Sequence, residues 1–583
     1  MTAAAQKTKR PPKGRANSKG SSRSQFKPTS RTRLAADLKP DGKGGKYEVA
    51  KTEARKTPNT KVENAQASTV NARESIEALL DEEFDRSTPM SEEKLPNSFS
   101  SPLLLPALTQ SMADVLGANA APTPIQGLAL KHLMSLAHAR SWQEFLLASE
   151  TGSGKSFAYL LPLIQYLKET EEAAINSTQR LPINPRALVL APTHELSRQL
   201  SVFAKSLIHY AKIRVLCASR ANVPTTIDRR TVSTSSAREM KHLIDSLESK
   251  LFATEGAAQT TSTARPVDLL VSTPVKALEM VRGWGWDKVG KEESNWGGKK
   301  FRPGKPEMGL KRIECVVVDE ADILFDPDFR DSTLGLLSDI SAARGHPVST
   351  DARSTKYPFH LILTSATIPA SLSTYLSTHH PTLTRLASPH LHQLPATLHT
   401  EHIGWTGGNR FADIEKRLRQ VWAEDALRGP NQMTGRIERS RVLVFCNRST
   451  TVDALGAHLT ERGIPNVTLT STGPSRARGS NRHLAGFLKG TAVSGHESTS
   501  IVDKDTPHVL ITTSLLSRGL DFSPSVQHVF IVDSPRNMID FLHRAGRSGR
   551  AGQLGKVVIF GKLKGRGSEM DKGLKSKVRA LAR

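Results

Sequence analysis

Cysteine is nearly absent: Cys217, Cys315 and Cys446 are the only three in 583 residues, odd in number, far apart and without a C-x-x-C spacing. That excludes a disulfide framework and a thiolate zinc site, and it fits a reducing compartment. Long apolar runs are also missing. None approaches the roughly 18–20 residues that cross a bilayer, so the chain reads as soluble, with no membrane partner. Carboxylates are missing from the first 36 residues, which hold ten Lys or Arg among many Ser and Thr, and Asp37 is the first acid. Such a start suits an organelle transit segment. It equally suits a basic tail that touches RNA or directs nuclear import. Low hydrophobicity continues to about residue 95, so no fold is expected over 1–96.

What is abundant is positive charge. Against 56 Asp and Glu stand 81 Lys and Arg, a formal net charge of +25 spread along the chain. That field favours polyanions, of which nucleic acid is the commonest large one. The length exceeds one ordinary core, so two globular domains plus tails or inserts are expected.

From residue 144 onward short apolar runs recur, each closed by a small or polar group: "EFLLASE", "RALVLAPT", "VDLLVSTP", "CVVVDEAD", "HLILTSAT", then "RVLVFCN", "HVLITTS", "HVFIVDS" and "KVVIFG". They read as buried parallel strands. Helical periodicity fills the gaps; Phe157, Leu160, Leu161, Ile164 and Leu167 recur at three- and four-residue steps, with Pro162 expected to kink the helix. Alternating strands and helices imply two tandem doubly wound α/β domains, separated by a stretch without strand signals at about 370–440. The boundaries drawn are 97–385, a linker over 386–410, 411–563, and a basic tail over 564–583. Segments 220–265, 283–310 and 341–357 read as surface insertions. Trp284, Trp286 and Trp296 lie in the second of these, placed either to stack on bases or to pack on their own domain.

In open parallel sheets ligands bind beyond the carboxyl ends of strands, where the polar groups of these runs sit. "SETGSGKS" follows a strand and opens a helix, so amides near Gly152 and Gly154 can face phosphates, with Lys155 reaching the β- and γ-phosphates and Ser156 ligating Mg²⁺. The loop departs from the usual pattern at its first position, where Ser149 replaces Gly. "VVVDEAD" supplies Asp319 for the metal and Glu320 to position or deprotonate the attacking water. "HRAGRSGRAG" carries Arg544, Arg547 and Arg550 at three-residue steps, expected to share a helix face and point at a common anion. Such arginines supply the positive charge that phosphoryl transfer commonly uses.

The ordered set "PTPIQ", "SETGSGKS", "PTHELS", "STPVK", "DEAD", "SAT", "VLVFCN", "TTSLLSRGLDF" and "HRAGRSGRAG" resembles the DEAD-box RNA helicases over residues 99 to about 560. The resemblance implies two RecA-like domains, ATP and Mg²⁺ as cofactors, and RNA-dependent ATP hydrolysis. That family opens its loop with Ala, so Ser149 is a mild departure and the loop is still a phosphate cradle; Glu150 stands where Gln is usual. By the same resemblance Phe99 stacks on adenine, Gln126 reads its edge, and Thr123 and Thr151 support the pocket beside Ser153. Ser365, Ala366 and Thr367 couple hydrolysis to strand separation, His543 bridges the domains, Asp521 meets the ribose and Gly519 the phosphates. Phe99 as a core residue and His543 as an interface histidine are the plainer readings.

The RNA contacts implied by the resemblance fall on Pro192, Thr193, Glu195, Thr273, Pro274, Thr513 and Arg518, against phosphates and 2′-hydroxyls. His194 and Lys276 stand where Arg is usual, Ser514 where Asp is usual, and "TGPSRARGSNRHLAGF" lacks the usual Gln-x-x-Arg. The expectation is a monomeric helicase that locally unwinds or remodels RNA. The alternative is an ATP-gated RNA clamp or assembly scaffold. "NSFSSPLLLPAL", the atypical loop and the basic start resemble the fungal mitochondrial branch, linked to large-ribosomal-subunit assembly. That implies the mitochondrial matrix, ribosomal RNA and ribosomal or assembly proteins as partners, with the nucleolus as the alternative.

Overall fold

The computed structural model describes residues 95–100, 104–171, 183–219, 267–286, 304–348, 355–429, 439–470, 481–484, 486–488, 507–550, 553–562 and 568–581. The basic start, the 220–265 insertion, Trp296 with most of 283–310, and 349–354 lie outside them.

Among the described residues, seven parallel strands form a first sheet in the order β3-β4-β2-β5-β6-β1-β7. They are β1 (Glu144–Ala148), β2 (Ala187–Leu190), β3 (Val215–Ala218), β4 (Leu269–Ser272), β5 (Cys315–Val318), β6 (His360–Ser365) and β7 (Thr384–Ala387). A second parallel sheet runs β10-β11-β9-β12-β13-β8. Its members are β8 (Leu398–Gly404), β9 (Arg441–Cys446), β10 (Asn466–Leu469), β11 (Val509–Thr513), β12 (Val526–Ile531) and β13 (Gly555–Gly561). β1, β2, β4, β5 and β6 are buried at every residue. Helices cover both faces, as all-parallel sheets require. The two lobes are the expected pair of doubly wound domains.

The nine expected strands are the nine interior strands. The four further strands, β3, β7, β8 and β10, are the four sheet edges. An edge strand is short or half-exposed and needs no continuous apolar run; β8, "LHTEHIG", buries only its first residue. Two of these edges fall in the stretch read as strandless, and β8, inside the segment read as a linker, pairs with β13 along its whole length. Within the segment read as a tail, residues 568–581 form a helix whose Val578 and Leu581 are buried.

Six helices place the site. α1 (Pro106–Leu116) and α2 (Pro124–Leu133) precede β1, and α3 (Lys155–Glu169) follows it. α4 (His194–Leu207) follows β2, α5 (Pro274–Arg282) follows β4, and α6 (Met538–Ala545) follows β12. α3 runs unbroken through Pro162. In the 283–310 insertion, Trp286 packs against the first lobe's core with Arg282 stacked 4.5 Å over its ring, so this tryptophan packs on its own domain.

Candidate ATP site and its link between the lobes

Three neighbouring strands, β5, β6 and β1, end side by side. Their carboxyl ends carry "DEAD", "SAT" and the Gly-rich loop, so sheet order alone gathers motifs that lie far apart in sequence. Gly152 and Gly154 both have φ +86°, the left-handed region that favours glycine. A Cβ at Gly154 would lie 2.4 Å from Gln126 Nε2, and one at Gly152 3.1 Å from the Arg550 side chain. Two flanking residues pin the loop. Thr123 Oγ1 donates to the Ser153 carbonyl at 2.7 Å, and Gln126 Nε2 to the Gly154 carbonyl at 3.3 Å. Gln126 Oε1 in turn accepts from the Thr123 N–H at 2.9 Å, completing a capping box on α2.

Ser149 is fully buried, and its hydroxyl lies 2.6 Å from that of Ser153, which donates on to the Glu150 carbonyl at 2.8 Å. The departure at the loop's first position is therefore absorbed by a hydroxyl pair inside the loop. Lys155 Nζ donates to the carbonyls of Ser149 and Glu150 at 2.7 and 2.9 Å. Burial lowers its pKa, while Glu320 and Asp319 oppose the shift.

Asp319 is pushed up to about 6, by burial first and Glu320 second. Its Oδ1 accepts from the Thr364 hydroxyl and, at 3.0 Å, from the Glu320 N–H; its Oδ2 accepts from the Tyr159 hydroxyl at 3.2 Å. Glu320 holds a left-handed φ of +54°, strained for a residue with a Cβ, and its Oε2 is buried without a protein partner. Oxygen donors on Ser156 and Asp319, with this unpartnered carboxylate oxygen beside them, suit a hard cation such as Mg²⁺.

One cavity of about 290 Å³ is lined by Thr123, Gln126, Thr151–Ser156, Asp319, Glu320, Gly519, Asp521, Arg547 and Arg550, among others. The structure thus brings the ATP candidates of both lobes to one cleft. Phe99, Ser149 and Glu150 are not among the lining residues: Phe99 is buried in the core cluster, Ser149 is buried inside the loop, and Glu150 faces a smaller neighbouring cavity. Gln126 lines the cleft, with its carboxamide bonded to Thr123 and the loop.

The three arginines do not share a face. α6 ends at Ala545, so only Arg544 is helical. Arg544 turns away, bonding Asp540, the Asn447 Oδ1, Ser514 Oγ and the Asp533 carbonyl. Arg547 and Arg550 face the cleft. Arg547 donates to the carbonyls of His543 and Leu520 at 2.9 Å each, and its Nη2 is buried without a protein partner. Burial first and Arg550 second lower it to about 9. Arg550 donates to Asp521 Oδ1 at 2.6 Å.

Asp322, which the sequence reading passed over, is the hub between the lobes. It accepts from His543 Nε2 at 3.0 Å, Ser365 Oγ at 3.0 Å and Thr367 Oγ1 at 3.2 Å, with Arg518 at 3.6 Å. Burial alone would raise its pKa, but His543, then Arg518 and Ser365, hold it well below the usual carboxylate range. Thr367 Oγ1 also lies 3.2 Å from His543, so the "SAT" segment and His543 meet directly. Glu320, Asp322 and His543 could together hold a metal ion, but the His543–Asp322 hydrogen bond already uses two of the three. As the last letter of "DEAD", Asp322 was open to view in the sequence.

Other inter-lobe contacts had no signal in the sequence. Gln199 bonds the Asp521 backbone twice, Thr151 Oγ1 donates to the Gly546 carbonyl at 3.1 Å, and Asn481 bonds both Arg198 and the Glu195 carbonyl. Asn481 lies in the segment that lacks the usual Gln-x-x-Arg.

The RNA candidates follow other strand ends. Thr193 caps α4 and Thr273 caps α5, each accepting an N–H at 3.3 Å, while Pro192, Glu195 and Pro274 are buried. Thr513 and Arg518 line a separate cavity of about 350 Å³ with Asn447, Ser449, Arg536 and Arg544, and with the acids Asp326 and Asp328. No helix among the described residues is long and apolar enough to cross a membrane.

The DEAD/DEAH box helicase model matches residues 123–374, and the helicase conserved C-terminal domain model matches 430–552. A Cryptococcus neoformans protein named ATP-dependent RNA helicase MRH4, mitochondrial, is 32% identical over 81% of this chain and 84% of its own. The Saccharomyces cerevisiae protein of that name is 25% identical over 76% and 72%. In fold the chain is similar to S. cerevisiae Dbp5 bound to RNA and ADP BeF3, with a TM-score of 0.53 at 19% identity, covering 83% of this chain and 94% of that one. Two helicase models matched in order, one on each lobe, and a relative aligned over most of both lengths place the chain in the DEAD/DEAH box helicase family.

Proposed function

We propose that this DEAD-box ATP-dependent RNA helicase acts in mitochondria, remodelling RNA during assembly of the large ribosomal subunit. The observation that carries the enzymatic part is the cleft itself, where the phosphate loop of one lobe meets Arg547 and Arg550 of the other. Lys155 and the amides of the loop bind the phosphates. Glu320, at a strained position with a free oxygen, orients and deprotonates the attacking water. Mg²⁺, held by Ser156 and Asp319, would neutralise charge on the phosphates. Arg547 and Arg550 stabilise the charge of the transferring phosphoryl group, and they reach it only when the lobes are joined. RNA across Pro192, Thr193, Glu195, Thr273, Pro274, Thr513 and Arg518 favours that joined state, and ATP and RNA then strengthen each other's binding by linkage. The mitochondrial setting rests on the names of the relatives and on the acid-poor start.

The test is ATP hydrolysis by the purified chain with RNA, with an equal amount of DNA, and with neither. Activation by RNA alone is expected. Nucleotide binding without RNA-dependent turnover would instead favour the ATP-gated clamp. For the cellular role, depletion should lower the level of the large mitochondrial ribosomal subunit; unchanged subunits would overturn that part.

A further inference from the structure

Tyr159 is fully buried one turn into α3, and its hydroxyl is the only oxygen on an otherwise apolar ring. A buried hydroxyl is costly to retain without a partner. Its partner is Asp319 Oδ2, at 3.2 Å. A carboxylate has no proton to give, so the phenol O–H is the donor to Asp319 Oδ2. The other carboxylate oxygen is already fixed by Thr364 and by the Glu320 N–H. Removing the Tyr159 hydroxyl would therefore leave Oδ2 with no donor among the described residues, while Oδ1 kept both of its own.

We propose that Tyr159 is a positioning residue for the cation bound with ATP: its hydroxyl aims Asp319 Oδ2 as a metal-binding oxygen. This rests on the ATP and Mg²⁺ reading above. Partners that orient a ligating carboxylate typically change metal affinity by about 10–100-fold when removed.

The experiment titrates Mg²⁺ against binding of a fluorescent ATP analogue to the full chain, for the parent, Tyr159→Phe, Asp319→Asn and the double variant. Tyr159→Phe keeps the ring and should raise the Mg²⁺ midpoint about tenfold or more. Analogue binding in EDTA and the melting temperature should stay at the parent values. In the Asp319→Asn background the same change should have no further effect on the midpoint, since the carboxylate it aims is gone. An unmoved midpoint in Tyr159→Phe would overturn the inference and leave the metal reading intact. So would an equal shift with and without Asp319. A parent whose analogue binding ignores Mg²⁺ would overturn both together.

Discussion

The carboxamide of Gln199 closes a ring with the backbone of Asp521: Nε2 donates to the Asp521 carbonyl at 3.0 Å, and Oε1 accepts from its N–H at 2.8 Å. Asp521 in turn holds Arg550 through its carboxylate. A helix that begins at the proposed RNA-contacting turn is thus tied, through one residue, to an arginine that lines the candidate ATP cleft. Nearby, Gly519 lets Leu196 of the same helix approach so closely that a Cβ would stand 2.2 Å from it.

Gln199→Ala removes two inter-lobe hydrogen bonds, worth about 0.5–1.5 kcal/mol each. RNA-activated hydrolysis should fall about 5- to 150-fold while analogue binding without RNA is unchanged. Equal RNA-activated rates in variant and parent would show that this ring does not contribute to closure.

Arg550→Ala should lower hydrolysis about 10³-fold or more, because a phosphate-facing arginine contributes that much in phosphoryl transfer. Single-turnover rates at saturating ATP and RNA measure it. Near-parent turnover would remove Arg550 from the mechanism.

Gly154→Ala meets two obstacles, a left-handed φ and Gln126 Nε2 within 2.4 Å. Loss of the Gln126 and Thr123 anchors should abolish detectable ATP binding, checked by the same analogue titration. Ser149→Ala is the contrasting case: it removes one hydroxyl, and Ser153 keeps its bond to the Glu150 carbonyl. Its turnover should stay within about threefold of the parent, as expected when a bond is lost without stranding its partner.

Asp322→Asn takes away the charge on which His543 and Arg518 converge. Breaking a buried ion pair costs about 3–5 kcal/mol, so RNA-activated turnover should collapse while the first lobe still binds nucleotide. The Asp322 carboxylate itself should stay ionised across neutrality. Its pKa is depressed in the folded chain, so its contribution is complete above the unfolded value of about 3.9 and is lost only as pH falls through the lower folded value. A closure contact that weakens between pH 8 and 6 would point to a different group.

The two parallel-sheet lobes, their interior strands and most residues of the candidate ATP cleft were legible in the amino-acid sequence. An interior strand is buried on both faces and must be apolar throughout, and a phosphate loop needs glycines at fixed steps; both are local demands written into neighbouring residues. The rest depended on how the elements pack together. The edge strands β3, β7, β8 and β10 are defined by a single neighbour and carry no continuous apolar signature. Arg544 parts from Arg547 and Arg550 because α6 stops between them, and Phe99 packs inward because the core in front of α2 takes it. Asp322, Gln199, Asn481 and Tyr159 acquire their roles from groups 160 to 322 positions away. Contacts at such separations follow from which strands lie side by side and how one lobe meets the other, and no spacing within a single motif encodes them.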